Sequence, residues 1–382
     1  MSLPEQIIVP VCTTPSPRHL TASRQFQGIP GVAVTPNGFL WATWYAGGVN
    51  EGPQNFVPLV VSADGGATWS DTIAVIDPPG AVRAFDPVLW FDPDGRLWLF
   101  WAQCHSSRDG HIFDGVSGVW GSWTTEWTTE WTTMAPRAWS VPIRIANGVM
   151  MNKPTVFSTG EWAYPCAVWN NHGGGIVSAA LADERFSNMV VSGDHGRTYV
   201  RRGGADVPER HFDEHTIIEL RDGRLWMLVR TFYGIGQAFS HDGGRTWSPG
   251  EDSKLGGPNS RFHIRRLSSG RLLLINHQAG QKHERCRLTA YVSGNDGASW
   301  EGGLVLDERT AVSYPDADED ASGFLYAIHD RERYKEGEIL LSGFREDDVL
   351  SGRCATKGSF VKRIVNRTGG VRPQTQGAAA DA

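Results

Sequence analysis

The chain of 382 residues carries 36 Lys and Arg against 42 Asp and Glu, a formal charge of −6. That balance offers no general attraction for nucleic acid or an anionic lipid surface, and no apolar run approaches the ~18–20 residues that cross a bilayer. Apolar residues at 40% and charged ones at 20% suit a globular chain with a sizeable buried core. The opening stretch, MSLPEQIIVPVCTTPSPRHL, lacks a basic segment followed by an apolar one, so no secretory leader is expected. Five cysteines (Cys12, Cys104, Cys166, Cys286, Cys354) are odd in number and form no CxxC pair. They fit a reducing cytoplasm better than a disulfide framework or a zinc site, and neither a metal nor a cofactor is expected.

Strand patterns run through the chain and helical ones are nearly absent. One unit recurs: an apolar run, a turn bearing Gly, then a second run rich in Leu, Trp and Val. Its turn glycines are Gly38 (TPNGFLWATWY), Gly95 (DPDGRLWLFWA), Gly160 (STGEWAYPCAVW), Gly223 (RDGRLWMLVR), Gly270 (SSGRLLLINH) and Gly323 (ASGFLYAIHD), spaced 47 to 65 residues apart. Glycine accepts the positive φ of a two-residue hairpin turn. Strand-built repeats of this length mark propeller blades. Six turns therefore predict an all-β, six-bladed β-propeller in one domain over residues 1–371, with residues 372–382 (RPQTQGAAADA) as a disordered tail.

A second motif, S-x-D-x-G-x-x-W, runs from Ser62 to Trp69 and again from Ser240 to Trp247. Weaker copies span Ser192 to Tyr199 and Ser293 to Trp300, and Trp139-Ser140 resembles the tail of a lost one. The Asp side chain bonds the amides of its own turn and the Trp packs into the seam, so these boxes are read as structural and placed between the outer strands. The tandem Trp123-Thr-Thr-Glu-Trp127-Thr-Thr-Glu-Trp131 is either a loop expansion or a sugar-stacking platform.

Innermost strands of a propeller line its hub. Nine residues before the turn glycines stand Asp86, Glu214, Arg261 and Tyr314, at one height and pleat parity of four first strands. In the third blade the matching place is Met151, with Lys153 two residues on; in the first it is Ile29, with Gln27 two residues earlier. Convergent polar groups at a hub are costly unless paired or used, so this ring is either a functional site or a network that plugs the channel. Counting seven residues past the turn puts Arg230 beside Glu214, and gives His277, Asp330 and Tyr45 in other blades. His263 shares a strand face with Arg261, as a proton-transfer group or a core histidine. His211 and His215 are four apart, but their segment alternates as a strand, which argues against a metal. Gly234-Ile-Gly236 lacks the helix and third glycine of a dinucleotide loop.

The boxes and blade pattern resemble the bacterial-type sialidase (neuraminidase) superfamily of BNR-repeat proteins, over about Phe26 to Phe360. The resemblance implies a Tyr nucleophile activated by a Glu, an acid/base carboxylate on a first-blade loop, and three arginines that clamp a substrate carboxylate. Tyr314, in Val-Ser-Tyr-Pro-Asp, takes the nucleophile's place, with Glu214 its base and Arg230 in the clamp. Arg285 matches the next arginine, with Arg287 as its rival. Glu51 lies about where the acid/base belongs, and Asp86 is the alternative. The family's Phe-Arg-Ile-Pro reads here Phe26-Gln27-Gly28-Ile29-Pro30, so the first clamp arginine is missing, and Arg261 or Arg24 is the substitute considered. Ring closure in such folds mixes chain ends, which points to Gln6–Pro10 and Phe360–Val365 in the last blade.

The expected function is an exo-acting glycoside hydrolase that releases a terminal acidic sugar, most simply a sialic acid, from a glycan. Gln27, Lys153 and His263 are further candidates for substrate contact. The same fold acting on a uronic acid or rhamnose-type sugar, by hydrolysis or elimination, and a non-catalytic carbohydrate-binding propeller are the alternatives. Neither nucleic acid nor membrane is an expected partner, and oligomeric state is left open.

Overall fold

The computed structural model describes residues 7–105, 117–127, 136, 138–169, 178–278 and 284–370. Six antiparallel sheets follow one another along the chain. The first holds β1 (Gln27–Val34), β2 (Leu40–Ala46), β3 (Val57–Ser62) and β4 (Ala74–Ile76). The second holds β5 (Val82–Phe91), β6 (Leu97–His105), β7 (Gly118–Thr124) and β8 (Ile143–Asn147). In the third, β9 (Val149–Met150) and β10 (Thr155–Val156) form a broken inner strand against β11 (Trp162–Ala167), followed by β12 (Ser187–Ser192) and β13 (Val200–Ala205). The fourth holds β14 (Thr216–Glu219), β15 (Leu225–Thr231), β16 (Gly234–Ser240) and β17 (Glu251–Asp252). The fifth holds β18 (His263–Arg266), β19 (Leu272–His277), β20 (Cys286–Ser293) and β21 (Glu301–Thr310). The sixth holds β22 (Val312–Glu319), β23 (Leu325–Arg331), β24 (Glu338–Phe344) and β25 (Phe360–Arg367), with the short helix α1 (Glu346–Ser351) before its last strand. Inner strands of successive sheets adjoin, and β22 adjoins β1. This is a six-bladed β-propeller.

The core lies between blades. Trp41 and Leu59 of the first blade pack with Leu89 and Trp101 of the second, and Leu273 and Leu304 of the fifth with Ala317 and Leu325 of the sixth. Each blade is covered on both faces, so β2 (LWATWYA) and β15 (LWMLVRT) are buried at every position, without polar alternation. Burial of such side chains contributes roughly 1.5–3 kcal/mol each.

The turns between first and second strands differ from the expected two-residue type. Thr35 N–H bonds Phe39 O and Gly38 N–H bonds Thr35 O, and Asp92, Arg96 and Gly95 repeat the pattern. These are three-residue loops in which the glycine closes the turn, with φ of 80° at both Gly38 and Gly95. The boxes sit between third and fourth strands as expected. Asp64 Oδ1 accepts the Thr68 amide at 2.9 Å, and the Gly66 amide bonds Ser62 Oγ at 2.9 Å. Trp139-Ser140 is the relic the motif suggests: Ser140 bonds the Trp123 carbonyl and amide at 2.8 and 3.0 Å, as Ser70 bonds those of Val61 at 2.9 and 3.0 Å.

Closure of the ring departs from the expected strand exchange. Phe360–Val365 does belong to the last blade, in β25, but the N-terminal segment does not. Cys12 pairs with Val75 along the outer edge of β4, and the Ile7 carbonyl accepts from Gln103 Nε2 at 2.9 Å; Gln6 lies outside the described residues. The ring is joined instead by carboxylates of the sixth blade on amides of β1. Asp330 takes Ile29 N–H at 2.8 Å, Asp316 takes Val32 N–H at 2.9 Å and Asp318 takes Val34 N–H at 3.0 Å. These bonds satisfy donors that a further strand would otherwise cover.

Candidate active site

At the hub end opposite the turn glycines, three first strands share one distortion. Ile29, Asp86 and Tyr314 have positive φ, at 58°, 47° and 56°, and each precedes a proline. Strand register skips at each: between Gly28 and Gly31, between Phe85 and Val88, and between Ser313 and Asp316. In the fourth blade Asp213, just before Glu214, has φ 45°. A non-glycine residue held there costs about 1–3 kcal/mol, and a bulge re-aims the side chain it carries.

These bulges bring Tyr314, Glu214 and Arg230 together from two blades. Arg230 Nη1 donates to Glu214 Oε1 at 2.6 Å and to Tyr314 Oη at 3.2 Å, and the Tyr314 hydroxyl stands 3.4 Å from the same Glu214 oxygen. Arg230 Nε donates to Asn259 Oδ1 at 2.6 Å, while Arg285 Nη2 donates to the Asn259 carbonyl at 3.0 Å. Asn259, braced by His211 Nδ1 at 2.7 Å, thus orients two guanidinium groups. Arg285 and Arg333 lie with Cζ 5.4 and 4.7 Å from the Tyr314 ring centroid. Burial, and then the positive charges of Arg230 and Arg333, pull the Arg285 guanidinium below its ordinary range against the opposing pull of Tyr314.

A second acidic pair stands nearby. Burial first, then the charge of Glu51, pushes the Asp86 carboxyl up to about 8. Glu51 is at the rim, accepting the Tyr334 hydroxyl at 3.1 Å, with Arg333 Nη1 at 3.9 Å and Arg83 Nη2 at 4.0 Å. Arg83 itself is stacked on Phe85, Cζ 4.2 Å from the ring. Half-buried Trp169 and Phe212, centroids 5.1 Å apart, flank the cluster, and Arg230 lies over Phe212 at 5.3 Å.

Other predicted contacts stand elsewhere. Arg261 bonds four backbone carbonyls: Met151 at 2.6 Å, Pro30 at 3.1 Å, Tyr314 at 3.1 Å and Pro315 at 2.9 Å. It ties the fifth blade to the first, third and sixth beneath the cluster instead of facing a ligand. Lys153 donates to Val32 O at 2.7 Å and pairs with Asp316, whose other oxygen is 3.3 Å from His263 Nδ1. Burial holds His263 below its ordinary range, so it belongs to this neutralised plug. Gln27 turns outward to the Gly337 carbonyl at 2.7 Å and Asn366 at 3.1 Å, because the bulge after it reverses the face its neighbours present. Arg24 packs over Trp44 at 5.3 Å, and Arg287 donates to Gln278. His277 and Asp330 serve the Val312 carbonyl and the Ile29 amide. His215 bonds two carbonyls, of Asp213 and Asn188, apart from His211. Trp127 bonds the Gly95 carbonyl at 2.7 Å, at the turn end and away from Tyr314; Trp131 lies outside the described residues.

The hub thus has two levels, a plug of paired charges and carbonyl-bonded Arg261 below and the Tyr314 cluster above. Arg333, Arg83, Asn259 and Tyr334 were not found by residue counting; a glycine at Gly28 where the motif has arginine is the one sequence feature that bears on them. Replacing Arg261 with Met is expected to lower unfolding free energy by about 3–5 kcal/mol in urea titration, because four buried carbonyls lose their shared partner. A loss of that size in unliganded protein distinguishes a hub tie from a ligand contact.

Blades bearing Asp boxes, closed on a hub that carries this tyrosine–carboxylate–arginine cluster, define a sialidase-like β-propeller. Residues 38–327 match the BNR repeat-like domain, and the chain belongs to that family. Among solved structures it is similar to a Hadza microbial sialidase, with TM-score 0.65 and 16% identity over 86% of this chain and 67% of that one. It is also similar to the intramolecular trans-sialidase of Ruminococcus gnavus solved with oseltamivir carboxylate, with TM-score 0.65 and 14% identity over 88% and 98%. A protein of unknown function from Dyadobacter fermentans gives TM-score 0.63 and 18% identity over 89% and 98%. Identities this low show the fold alone. No curated protein matches the chain.

Proposed function

We propose that the protein is an exo-acting glycoside hydrolase that releases a terminal sugar bearing a carboxylate at or beside its anomeric carbon, most simply a sialic acid. One observation carries this reading: the Tyr314 hydroxyl lies 3.4 Å from a carboxylate that can take its proton, beneath converging guanidinium groups. A carboxylate nucleophile would be repelled by such a sugar, whereas a phenol deprotonated by its neighbour is not.

In the first step a bond forms between Tyr314 Oη and the anomeric carbon as the glycosidic C–O bond breaks. The phenol proton passes to Glu214, and the leaving oxygen takes the proton held by Asp86, with Glu51 as that acid's rim partner. Water then attacks the glycosyl-tyrosine from the vacated side and the protons return, giving net retention. Arg230 and Arg285 hold the substrate carboxylate and favour negative charge developing on the phenol oxygen. The similarity of fold to solved sialidases supports the carbohydrate class.

The test is a screen of purified protein against aryl glycosides of sialic acid, glucuronate and rhamnose, with product absorbance read in parallel. Release from the sialoside with a saturated product is expected. Release from glucuronate or rhamnose alone, an unsaturated UV-absorbing product, or binding without turnover would overturn the reading.

A further inference from the structure

Gly28 is a glycine with no backbone need to be one, since its φ does not fall in the left-handed region. The need is spatial. A Cβ built on Gly28 would lie 2.6 Å from Arg333 Cδ, 3.1 Å from Arg333 Cβ and 2.9 Å from Asp330 Oδ2. Real side-chain carbons do not approach so closely, so the stem of Arg333 fills the place a side chain would take at the hub end of β1. Arg333 follows β23 in the sixth blade, and its side chain is only 12% exposed. Its Cζ is 4.7 Å from the Tyr314 ring centroid, nearer than that of Arg285 at 5.4 Å or Arg261 at 5.7 Å. On its other side Nη1 is 3.9 Å from Glu51.

We propose that Arg333 is the third guanidinium holding the substrate carboxylate, beside Arg230 and Arg285, and that Gly28 lacks a side chain in order to admit it. The inference rests on the proposed carboxylate-sugar site and goes beyond it by assigning a residue outside every counted motif position. Arg230 and Arg333 both repel Arg285, Glu214 already pairs with Arg230, and Arg333 has Asp330 and Glu51 on its other side. An incoming carboxylate relieves that repulsion where water competes least, which makes charge-assisted bonds to it strong. The arrangement also accounts for the absent motif arginine: a side chain that size on β1 and Arg333 cannot share the space.

The experiment is calorimetric titration with 2,3-didehydro-2-deoxy-N-acetylneuraminic acid and with its methyl ester, which differ in the charge of one group. Wild type, Arg333→Met, Arg333→Lys and Gly28→Ala are compared, each first checked for a cooperative thermal transition. Wild type is expected to prefer the acid. Arg333→Met should weaken acid binding about 10- to 100-fold and ester binding within about 3-fold, with Arg333→Lys between. Gly28→Ala should reproduce the loss by displacing Arg333 without removing a charge. If wild type prefers the acid and Arg333→Met keeps that preference, Arg333 is not a carboxylate ligand while the site reading stands. If wild type binds neither probe, the site reading falls and this inference with it.

Discussion

Tyr314→Phe is expected to reduce turnover of an aryl sialoside by on the order of 10³-fold or more, while ligand affinity changes only a few-fold. The substitution removes one oxygen, the atom that is 3.4 Å from Glu214 Oε1 and 3.2 Å from Arg230 Nη1. It keeps the ring beneath Arg285 and Arg333, so the guanidinium groups retain their support. Glu214→Gln should fall in the same direction, because the phenol loses its proton acceptor, but it also frees Arg230 from a 2.6 Å partner and so changes affinity as well. Steady-state kinetics on both variants, with binding measured by calorimetry, separates the roles. A Tyr314→Phe protein that turns over at the wild-type rate would remove the nucleophile and with it the proposed mechanism. The positive φ at Tyr314 makes a further point: the strain is fixed by the bulge and the following Pro315, not by the hydroxyl, so the variant should unfold near the wild-type temperature.

Counting residues back from each turn glycine found Asp86, Glu214 and Tyr314 because first strands that all enter closed three-residue loops keep one height around the hub. The forward count of seven found Arg230 for the same reason, and the 2.6 Å pair with Glu214 is its outcome. Height does not fix how far a side chain reaches, however. Arg261 satisfies the count and Lys153 lies two residues from its matching place, yet both end in the plug, since backbone carbonyls and Asp316 lie closer than the upper cluster. Gln27 was misplaced by the bulge at Ile29, which no hydrophobic pattern announces. Arg333 and Asn259 stand in connections outside regular strands, where length differs from blade to blade and counting has no reference. Arg333 left a trace only through Gly28, and that trace needs coordinates to interpret. Ring closure was read from the habit of related folds; the actual device, aspartates of β22 and β23 on the amides of β1, is spelled out in Tyr-Pro-Asp-Ala-Asp and His-Asp-Arg but is ambiguous there with catalytic carboxylates.

The alkaline limb of activity is expected to fall through pH about 8, and Asp86→Asn to abolish it together with turnover of poor leaving groups. Burial, reinforced by Glu51 and then Glu214, raises the Asp86 carboxyl to about 8, against the lowering pull of Arg83 and Arg261. It is therefore protonated at neutral pH and able to donate. Removing a general acid costs about 10²–10⁴-fold where the leaving oxygen must be protonated. A 4-nitrophenyl glycoside leaves as a stable anion, so the same variant should lose little on it, whereas a structural defect would lower both substrates alike. Glu51→Gln removes a like charge, so it should draw the limb to lower pH without erasing it. Stability falls with rising pH as activity does, but over a lower range, and the substitution acts on the two in opposite directions. The folded state holds this proton more tightly than an unfolded chain, whose aspartates titrate near 3.9, so stability from this group falls as pH rises from about 4 through 8, by at most about 1.4 kcal/mol per pH unit. Asparagine pays no such ionisation cost, and the Asp86→Asn protein should melt above wild type at pH 8 and show a smaller difference at pH 5. A rate limb that survives the substitution would move the proton donor to Glu51, while melting curves that coincide at both pH values would show that Asp86 ionises freely in the folded protein.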